Sequence, residues 1–367
     1  MWVLSICSCI AILLTYLESI GKFKKGMLWG FVIMTIVAAL RYDYGTDYMA
    51  YLSQFNSIAD SSFTLSYYVD FSDGLHEQGW KILMYLFKPL GFYVFAAILA
   101  IFNSVVYYRL IDKFVPKGWW AFAVFIYLFT YSFYPMQLSM LRQGLAMSFI
   151  LFAIPYILDK KKIIPIISLI LSATIHTSAL ICIPFVLLFY IPFANRKLMV
   201  IGLVAAFAIF IFAQDLVFRI MSDLVMSSAA FDKYDSKYFG GLYDVSETKN
   251  LLGTIIFLIP ILVSLYALMT NRHLTESNIK LIVFTLIGSL VSLTGQMVAM
   301  IDRVSWYYTI MSIVTYPIVY KSIHVNIVRN FLLLFIIAIT LRDYFGFMTA
   351  EGWIMYYGEY QSILSVL

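Results

Sequence analysis

Charged residues and cysteines are scarce in this sequence. Only 12% of its 367 residues are charged, whereas soluble domains carry about 25%. Because so few polar groups cannot coat a water-soluble globule of this length, a chain of two or three soluble domains is excluded. The 3 cysteines, Cys7, Cys9 and Cys182, lie in apolar runs, which excludes a disulfide framework and zinc-ligand spacing. A net charge of +5 without a basic stripe excludes nucleic-acid binding as the main function.

Hydrophobic residues dominate instead, at 62% of the chain with a mean hydropathy of +0.88. A membrane helix needs about 20 mostly apolar residues, so we predict an all-α polytopic integral membrane protein with about 12 transmembrane helices, in a range of about 10–14. We predict a single transmembrane domain over residues 1–367. The predicted spans are residues 1–17, 27–40, 89–108, 118–134, 137–158, 163–175, 177–193, 198–217, 251–270, 279–300, 304–320 and 328–341. The runs 27–40, 163–175 and 328–341 are short for a complete crossing.

The distribution of basic residues predicts which side of the membrane each loop occupies. With the N-terminus outside, the short loops that carry most Lys and Arg residues are cytoplasmic, as the positive-inside rule requires. The first span has neither a basic leading region nor a small-residue cleavage site before Glu18, so we expect a retained helix rather than a cleaved signal peptide. The long connections 41–88 and 218–250 then lie outside. We therefore expect any chemistry at the extracytoplasmic face.

These outer connections are expected to be partly helical. In loop 41–88, apolar residues recur at helical spacing after Gly45, which predicts an amphipathic helix with Thr46 or Asp47 as its N-cap. Residues 75–88 form a second, partly apolar segment. Loop 218–250 is polar and acidic, which is typical of a solvated loop; a lid over a site is the alternative.

Four arginines stand at the predicted outer ends of spans. They are Arg41, Arg142, Arg303 and Arg342. Ionisable residues at membrane depth are costly and often mark a functional site. A cluster of guanidinium groups suits a diphosphate, because each offers a planar, permanently charged pair of donors. For any one of them the alternative is a snorkelling side chain or a structural ion pair. Arg142 alone has no Asp nearby in sequence, and we expect it to face a ligand.

Proton-transfer candidates are few. His176 lies between two apolar runs whose far ends are both basic, which places it at an outer apex. A histidine there either handles protons or satisfies backbone carbonyls. Asp43 and Asp47 are the nearby carboxylates of the outer loop. The sequence contains no GxGxxG, Walker A, HExxH or GxSxG motif, and its carboxylates are scattered, so we expect neither a metal ion nor another cofactor.

Aromatic residues make up 18% of the chain. Most are expected in interfacial belts and at lipid-facing positions. The Tyr-rich outer segments are also candidates for stacking on sugar rings. These tyrosines are Tyr42, Tyr44, Tyr48, Tyr51, Tyr356, Tyr357 and Tyr360.

Five short motifs follow one another along the chain. They are Arg41-Tyr-Asp-Tyr-Gly-Thr-Asp-Tyr-Met-Ala-Tyr51, Glu77-Gln-Gly-Trp80, Leu141-Arg-Gln-Gly-Leu-Ala146, Ile175-His-Thr-Ser178 and Asp302-Arg-Val-Ser-Trp-Tyr-Tyr308. The first resembles the R-x-x-x-G-x-D-Y-x-x-Y signature of EpsG-like, Wzy-type polysaccharide polymerases. The order and spacing of the others fit the same family, and the ending Tyr360-Gln-Ser-Ile363 is similar to the family's own.

The resemblance implies an integral membrane glycosyltransferase of the bacterial O-antigen, capsule or exopolysaccharide pathway. Such enzymes join oligosaccharide repeat units at the outer face of the cytoplasmic membrane. Donor and acceptor are both carried on undecaprenyl diphosphate, which fits a chain without a nucleotide-sugar domain. The implied partners are these two lipid-linked glycans, the bilayer and, as a further candidate, a chain-length regulator protein.

Roles for individual residues follow as expectations. We expect His176 to be the base that accepts the proton of the acceptor hydroxyl, ahead of Asp47 and then Asp43. Single displacement inverts the anomeric centre, whereas double displacement requires a nucleophile, for which Asp47 is the candidate. The expected diphosphate ligands are Arg142 and Arg303, supported by Arg41 and Arg342. The expected sugar or acceptor contacts are Tyr48, Gln143, Glu77 and Asp302. For Arg41, a structural role holding Asp43 or Asp47 is an equal alternative.

Other membrane proteins share some of these features. An O-antigen ligase-like transferase differs mainly in its acceptor. A transporter of an anionic lipid-linked glycan also has interrupted helices and buried arginines, but it needs paired halves and matching charge on the cytoplasmic side, which the sequence lacks. An O-acyltransferase acting through His176 is disfavoured, because its acyl donor comes from the cytoplasm.

Overall fold

The computed structural model describes residues 1–58, 77–182, 186, 188–190, 196–212, 251–295 and 299–366. These residues are mostly helical. They belong to two compact units, the first formed by Met1–Ile183 with Val325–Leu367, and the second by Pro184–His324.

The first unit contains long apolar helices and several short ones. Its helices are α1 (Trp2–Ser19), α2 (Gly26–Leu40), α3 (Tyr48–Ser57), α4 (Gln78–Phe87), α5 (Phe92–Phe114), α6 (Trp120–Phe129), α7 (Tyr134–Ser139), α8 (Leu141–Leu158), α9 (Ile163–Ile175), and, after the second unit, α15 (Asn326–Thr349) and α16 (Glu351–Tyr357). Short 3-10 turns lie at Lys88–Leu90, Lys117–Trp119, Thr177–Cys182 and Ile363–Ser365.

Small residues allow α1 and α2 to pack closely. A Cβ atom at Gly30 would lie 2.9 Å from the backbone oxygen of Ala11, so only glycine fits at this crossing. Without water to drive apolar surfaces together, membrane helices associate through such close backbone contact. Helix α2 in turn packs on α5, and α5 packs on α8.

Helices α8 and α9 form a hairpin joined by residues 159–162. Along it, the hydroxyl of Ser172 donates a hydrogen bond of 2.8 Å to the backbone oxygen of Ala146. The first turn of α8 and the last turn of α9 therefore lie at the same end of the hairpin, far from the three lysines at 160–162.

A two-stranded antiparallel sheet joins distant parts of the first unit. Strand β1 (Arg41–Tyr42) pairs with β2 (Gln361–Ser362), with Arg41 opposite Ser362. Next to it, the hydroxyl of Tyr360 donates a 2.9 Å hydrogen bond to the backbone oxygen of Val37. Burial raises the pKa of Tyr360 to about 12, so this phenol remains a neutral donor.

The second unit is also helical. Its helices are α10 (Arg196–Phe212), α11 (Leu251–Thr270), α12 (Glu276–Gly295), α13 (Ala299–Thr309) and α14 (Ser312–Lys321), with a 3-10 turn at Leu188–Tyr190. A Cβ atom at Gly288 would lie 2.4 Å from the Cβ atom of Tyr308, which shows how closely α12 and α13 approach. Lys280 donates a 2.7 Å hydrogen bond to the backbone oxygen of Phe189.

The all-α multi-pass membrane architecture is confirmed. Five described helices are long and apolar enough to cross a membrane: Trp2–Ser19, Phe92–Phe114, Leu141–Leu158, Glu276–Leu293 and Asn326–Thr349. Among the predicted short runs, 27–40 and 163–175 remain short helices, whereas 328–341 is part of the longer α15. The count of about twelve spans and the single domain stay predictions.

Helix α6 (Trp120–Phe129) covers only part of the predicted span 118–134, and two further predicted spans are divided in the structure. The predicted span 137–158 is interrupted at Met140, whose backbone (φ −94°, ψ 74°) separates α7 from α8. The span 304–320 is divided between α13 and α14, because tight turns replace regular helix around Met311. The predicted loop 218–250 lies outside the described residues, as do parts of spans 177–193, 198–217 and 279–300 and the middle of loop 41–88.

Candidate functional site

The carboxylate of Glu77 joins two residues from separate parts of the chain. Its Oε1 atom lies 2.9 Å from Nδ1 of His176. Its Oε2 atom accepts a hydrogen bond and ion pair from Nη1 of Arg142. The three side chains are 17%, 18% and 31% exposed, respectively. A fully buried cluster could not contact a substrate, whereas these three side chains remain partly accessible to solvent.

The helical hairpin brings Arg142 and His176 to the same end. Arg142 lies in the first turn of α8, and His176 directly follows the last residue of α9 in an extended conformation (φ −147°, ψ 117°). Glu77 directly precedes α4 and has a positive φ of 56°, which is uncommon for a residue with a side chain. Such backbone conformations persist only where the surrounding structure enforces them, and they concentrate at functional sites.

A close helix contact positions Glu77. A Cβ atom at Gly79 would lie 2.5 Å from Oγ1 and 2.9 Å from Cβ of Thr174, so α4 approaches the end of α9 at a glycine. Because Glu77 is two residues before Gly79, and His176 is two residues after Thr174, this contact sets the separation of the carboxylate and the imidazole. Glycine is required here for space.

Tyr51 holds the other side of the Arg142 guanidinium. Nε of Arg142 donates a 3.3 Å hydrogen bond to the Tyr51 hydroxyl, and the guanidinium carbon lies 5.5 Å from the centre of the Tyr51 ring. The ring also meets Trp80 of α4 edge to face, with centroids 5.4 Å apart. Burial raises the pKa of Tyr51, and the positive charge of Arg142 offsets part of that rise.

The contact with Glu77 determines which ring nitrogen of His176 carries a hydrogen. An ionised carboxylate only accepts hydrogen bonds, so Nδ1 of His176 carries the hydrogen that points at Glu77. In the neutral imidazole, Nε2 then carries the lone pair that can accept a proton. The Nη2 group of Arg142 has no hydrogen-bond partner within the described part of the chain, which leaves one edge of the guanidinium for an anion.

The loop before α3 lies close to this cluster. The hydroxyls of Thr46 and Ser139 hydrogen bond to each other, and the Asp47 amide donates to Oγ of Ser139 at 3.3 Å. Gly45 has φ +111°, and a Cβ atom there would meet the Ser139 backbone at 2.8 Å. Asp47 is half-buried and interacts electrostatically with Arg142.

Asp47 is the N-cap residue of α3, as predicted, although its side chain makes no capping hydrogen bond. Asp43 is exposed and has φ +43°. The structure therefore places one predicted carboxylate near the cluster and the other at the surface.

Arg41 has a different environment from Arg142. It is 2% exposed, and its guanidinium donates hydrogen bonds to the backbone oxygens of Leu138 (3.2 Å) and Ala38. It also lies 5.3 Å from the ring centre of Tyr48. None of the ion pairs among the described residues includes Arg41. These contacts support the structural alternative, with carbonyl groups rather than Asp43 or Asp47 as its partners.

Two predicted sugar contacts are buried. Tyr48 is 1% exposed beneath Arg41 and packs edge to face on Phe92, with ring centroids 5.4 Å apart. Gln143 is 5% exposed in α8. Their roles in sugar binding stay predictions.

The other predicted arginines lie elsewhere. Arg342 lies inside α15 rather than at its end, with its side chain 58% exposed and paired with Asp343 at 2.7 Å. Arg303 is exposed on α13 of the second unit. Beside it, Asp302 accepts hydrogen bonds from Ser292 and from the indole of Trp306, both at 3.2 Å.

Sequence patterns did not identify several residues that shape this site. Tyr51 is predicted as a belt or stacking residue and as the end of the first motif, but not as a partner of Arg142. The sequence assigns no role to Ser139, Gly79 or Thr174, because their roles depend on contacts between distant segments. Within the described ranges, no group of three or more His, Cys, Asp and Glu side chains is arranged to hold a metal ion.

The family model of the EpsG family matches residues 26–362. The chain therefore belongs to the EpsG family, which is a Wzy-like polymerase family. No curated protein and no solved structure matches it.

Proposed function

We propose that this EpsG family member polymerises oligosaccharide repeat units carried on undecaprenyl diphosphate into O-antigen, capsule or exopolysaccharide. One observation carries the proposal: a proton acceptor, His176, and an anion-binding group, Arg142, are joined by one carboxylate, Glu77. Transfer from a lipid diphosphate needs these two functions in one site, a base for the attacking hydroxyl and positive charge for the leaving group.

The chemistry is a single displacement. The acceptor hydroxyl oxygen forms a bond to the anomeric carbon of the donor chain, and its proton moves to Nε2 of His176. The bond between the anomeric carbon and the diphosphate breaks, and undecaprenyl diphosphate leaves with both bonding electrons. Arg142 stabilises the growing negative charge through the edge that faces away from Glu77. In this proposal Asp47 is the alternative base.

The charge pattern supports an extracytoplasmic site in the cytoplasmic membrane. Arg142 and His176 lie at one end of the hairpin of α8 and α9, and the three lysines at 160–162 connect its other end. Short basic loops are normally cytoplasmic. The site would then lie on the extracytoplasmic side of the membrane, where the proposed lipid-linked repeat units are polymerised.

The remaining predicted residues have secondary roles in this proposal. Arg303 as a main diphosphate ligand and Arg342 as a supporting one stay predictions from the sequence. In this proposal the sugar contacts predicted from the sequence are Asp302, Gln143 and Tyr48. A chain-length regulator protein is a candidate partner.

The test uses cells that lack this protein and analyses their polysaccharide on gels. We expect deletion to leave glycans of a single repeat unit and the wild-type protein to restore the ladder. Arg142→Lys and His176→Ala should fail to restore it, because a point charge does not replace the guanidinium fork and alanine accepts no proton. Arg272→Lys and His273→Ala, at adjacent exposed positions in the turn between α11 and α12, are the matched controls.

Two results would overturn the proposal. Loss of even the single-unit glycan on deletion would indicate ligation or lipid transport instead of polymerisation. A normal ladder from Arg142→Lys and His176→Ala, at normal protein levels, would remove both residues from the site.

A further inference from the structure

We infer that Glu77 is a positioning residue: one carboxylate sets the tautomer of His176 and the orientation of Arg142 together, and the diphosphate competes with it for Arg142. The inference rests on the proposed function of this site. A positioning role differs from the predicted role of Glu77 in binding sugar, because a positioning carboxylate acts on the substrate only through His176 and Arg142.

The geometry supports the inference in two steps. Both carboxylate oxygens are engaged by protein, Oε1 by Nδ1 of His176 at 2.9 Å and Oε2 by Nη1 of Arg142. In the neutral imidazole, a carboxylate that accepts from Nδ1–H fixes the tautomer with Nε2 unprotonated, which is the form a general base needs. A sugar hydroxyl that bound Glu77 would have to share oxygens already used in this way.

The backbone around Glu77 is held in place. Its φ of +56° is maintained because its carbonyl oxygen accepts from the amides of Trp80 (3.1 Å) and Lys81 (3.3 Å) in the first turn of α4. The contact between Gly79 and Thr174 fixes that helix against the hairpin. A carboxylate on such a support is preorganised, as a positioning group must be.

Competition for Arg142 follows from the charges. A diphosphate is a stronger bidentate partner for a guanidinium than a single carboxylate oxygen, so substrate binding draws Arg142 away from Oε2. The Glu77 carboxylate then keeps its contact with His176, whose protonated form it stabilises after the hydroxyl proton has transferred. The same pair of contacts thus orients the site before reaction and stabilises the charge that forms during it.

The experiment measures elongation by the purified full-length protein in liposomes, with undecaprenyl-diphosphate-linked repeat units isolated from the producing cells. Glu77→Gln keeps the shape and removes the charge, and Glu77→Asp keeps the charge on a shorter side chain. We expect Glu77→Gln to lower kcat by up to about 10²–10⁴-fold, the contribution of a general base itself. KM should not rise, and inhibition by undecaprenyl diphosphate should not weaken, because Arg142 loses a competing anion. Glu77→Asp should recover part of kcat.

A double-mutant cycle separates positioning from a purely structural role. In the His176→Ala, Arg142→Ala background, the groups on which Glu77 acts are gone. The fold reduction in kcat caused by Glu77→Gln should therefore be at least about tenfold smaller there than in the wild type. An equal factor in both backgrounds would overturn the inference. A raised KM for the repeat unit with unchanged kcat would also overturn it and assign Glu77 to sugar binding.

Failure of the inference and failure of the proposed function give different results. If His176→Ala and Arg142→Ala elongate chains at the wild-type rate, the proposed site itself is wrong. If both lose activity while the effect of Glu77→Gln is the same in every background, only the role of Glu77 is wrong. Where Glu77→Gln does not accumulate as folded protein, the cycle is run with Glu77→Asp, for which the same criteria apply.

Discussion

The phenolic hydroxyl of Tyr44 donates a 3.2 Å hydrogen bond to the backbone oxygen of Tyr357. The two rings also meet edge to face, with centroids 5.3 Å apart, and both residues are fully buried. The backbone amide of Gly45 donates to the backbone oxygen of Tyr356 at 3.2 Å. The last segment of the chain therefore supports the loop that carries Asp47.

Removal of the Tyr357 hydroxyl should destabilise this support. The hydroxyl donates a 3.0 Å hydrogen bond to the backbone oxygen of Pro135, and this buried contact would be lost. We expect Tyr357→Phe to lower the free energy of unfolding by about 1–3 kcal/mol, measured as a lower melting temperature in detergent. Tyr356→Phe is the control, because its hydroxyl makes no hydrogen bond with any described residue. Equal melting temperatures for the two variants would contradict the prediction.

Replacement of Arg41 should affect stability before chemistry. A lysine ammonium does not reproduce the hydrogen bonds to the backbone oxygens of both Leu138 and Ala38, so Arg41→Lys should destabilise the protein by about 2 kcal/mol or more. Thermal melting in detergent measures the change, with the exposed Arg272→Lys as its control. The folded fraction of Arg41→Lys should elongate glycans normally. If Arg41→Lys is stable but inactive, Arg41 is a diphosphate ligand instead of a structural residue.

A methyl group at Gly79 should separate the catalytic groups. The new Cβ atom would lie 2.5 Å from Oγ1 of Thr174, so α4 must move away and carry Glu77 with it. We expect Gly79→Ala to reduce the elongation rate by about tenfold or more, since small displacements in a site have large kinetic effects. The double change Gly79→Ala, Thr174→Ala should recover part of the rate.

Gly346→Ala is the control for this series. No atom lies within 4 Å of a Cβ atom built there, so alanine should leave elongation unchanged and stabilise α15 by up to about 1 kcal/mol. Wild-type activity of Gly79→Ala would show that the contact does not set the position of Glu77.

The identity of the base is decided by ranking two variants. His176→Gln should lower kcat by about 10²–10⁴-fold, because it removes the proton acceptor. Asp47→Asn should have a much smaller effect, because Asp47 is held beside Arg142 and Ser139 and contributes charge alone. Rates are measured with lipid-linked repeat units at saturating concentration. The reverse ranking would identify Asp47 as the base and leave His176 as a residue that satisfies backbone groups.

Sequence patterns located several features of the site correctly. The turn at His176 and the helix after Asp47 both follow from local apolar periodicity and its interruptions. The assignment of partners was less successful. The sequence groups Glu77 with the sugar contacts, and it offers Asp43 or Asp47 as partners of Arg41 only as an equal alternative to diphosphate binding. Local sequence spacing does not reveal such partners, since Glu77 is 65 residues from Arg142 and 99 residues from His176.

By itself, the sequence determined that this is an all-α multi-pass membrane protein, because every backbone polar group in lipid must be satisfied within its own helix and apolar length alone signals such helices. Its ordered motifs also indicated the family. Only the tertiary structure decided which charged residues meet. Arg41 donates hydrogen bonds to backbone carbonyl groups, whereas Arg142 and His176 both contact Glu77. Glu77 reaches His176 because α4 packs against the end of α9 where Gly79 meets Thr174.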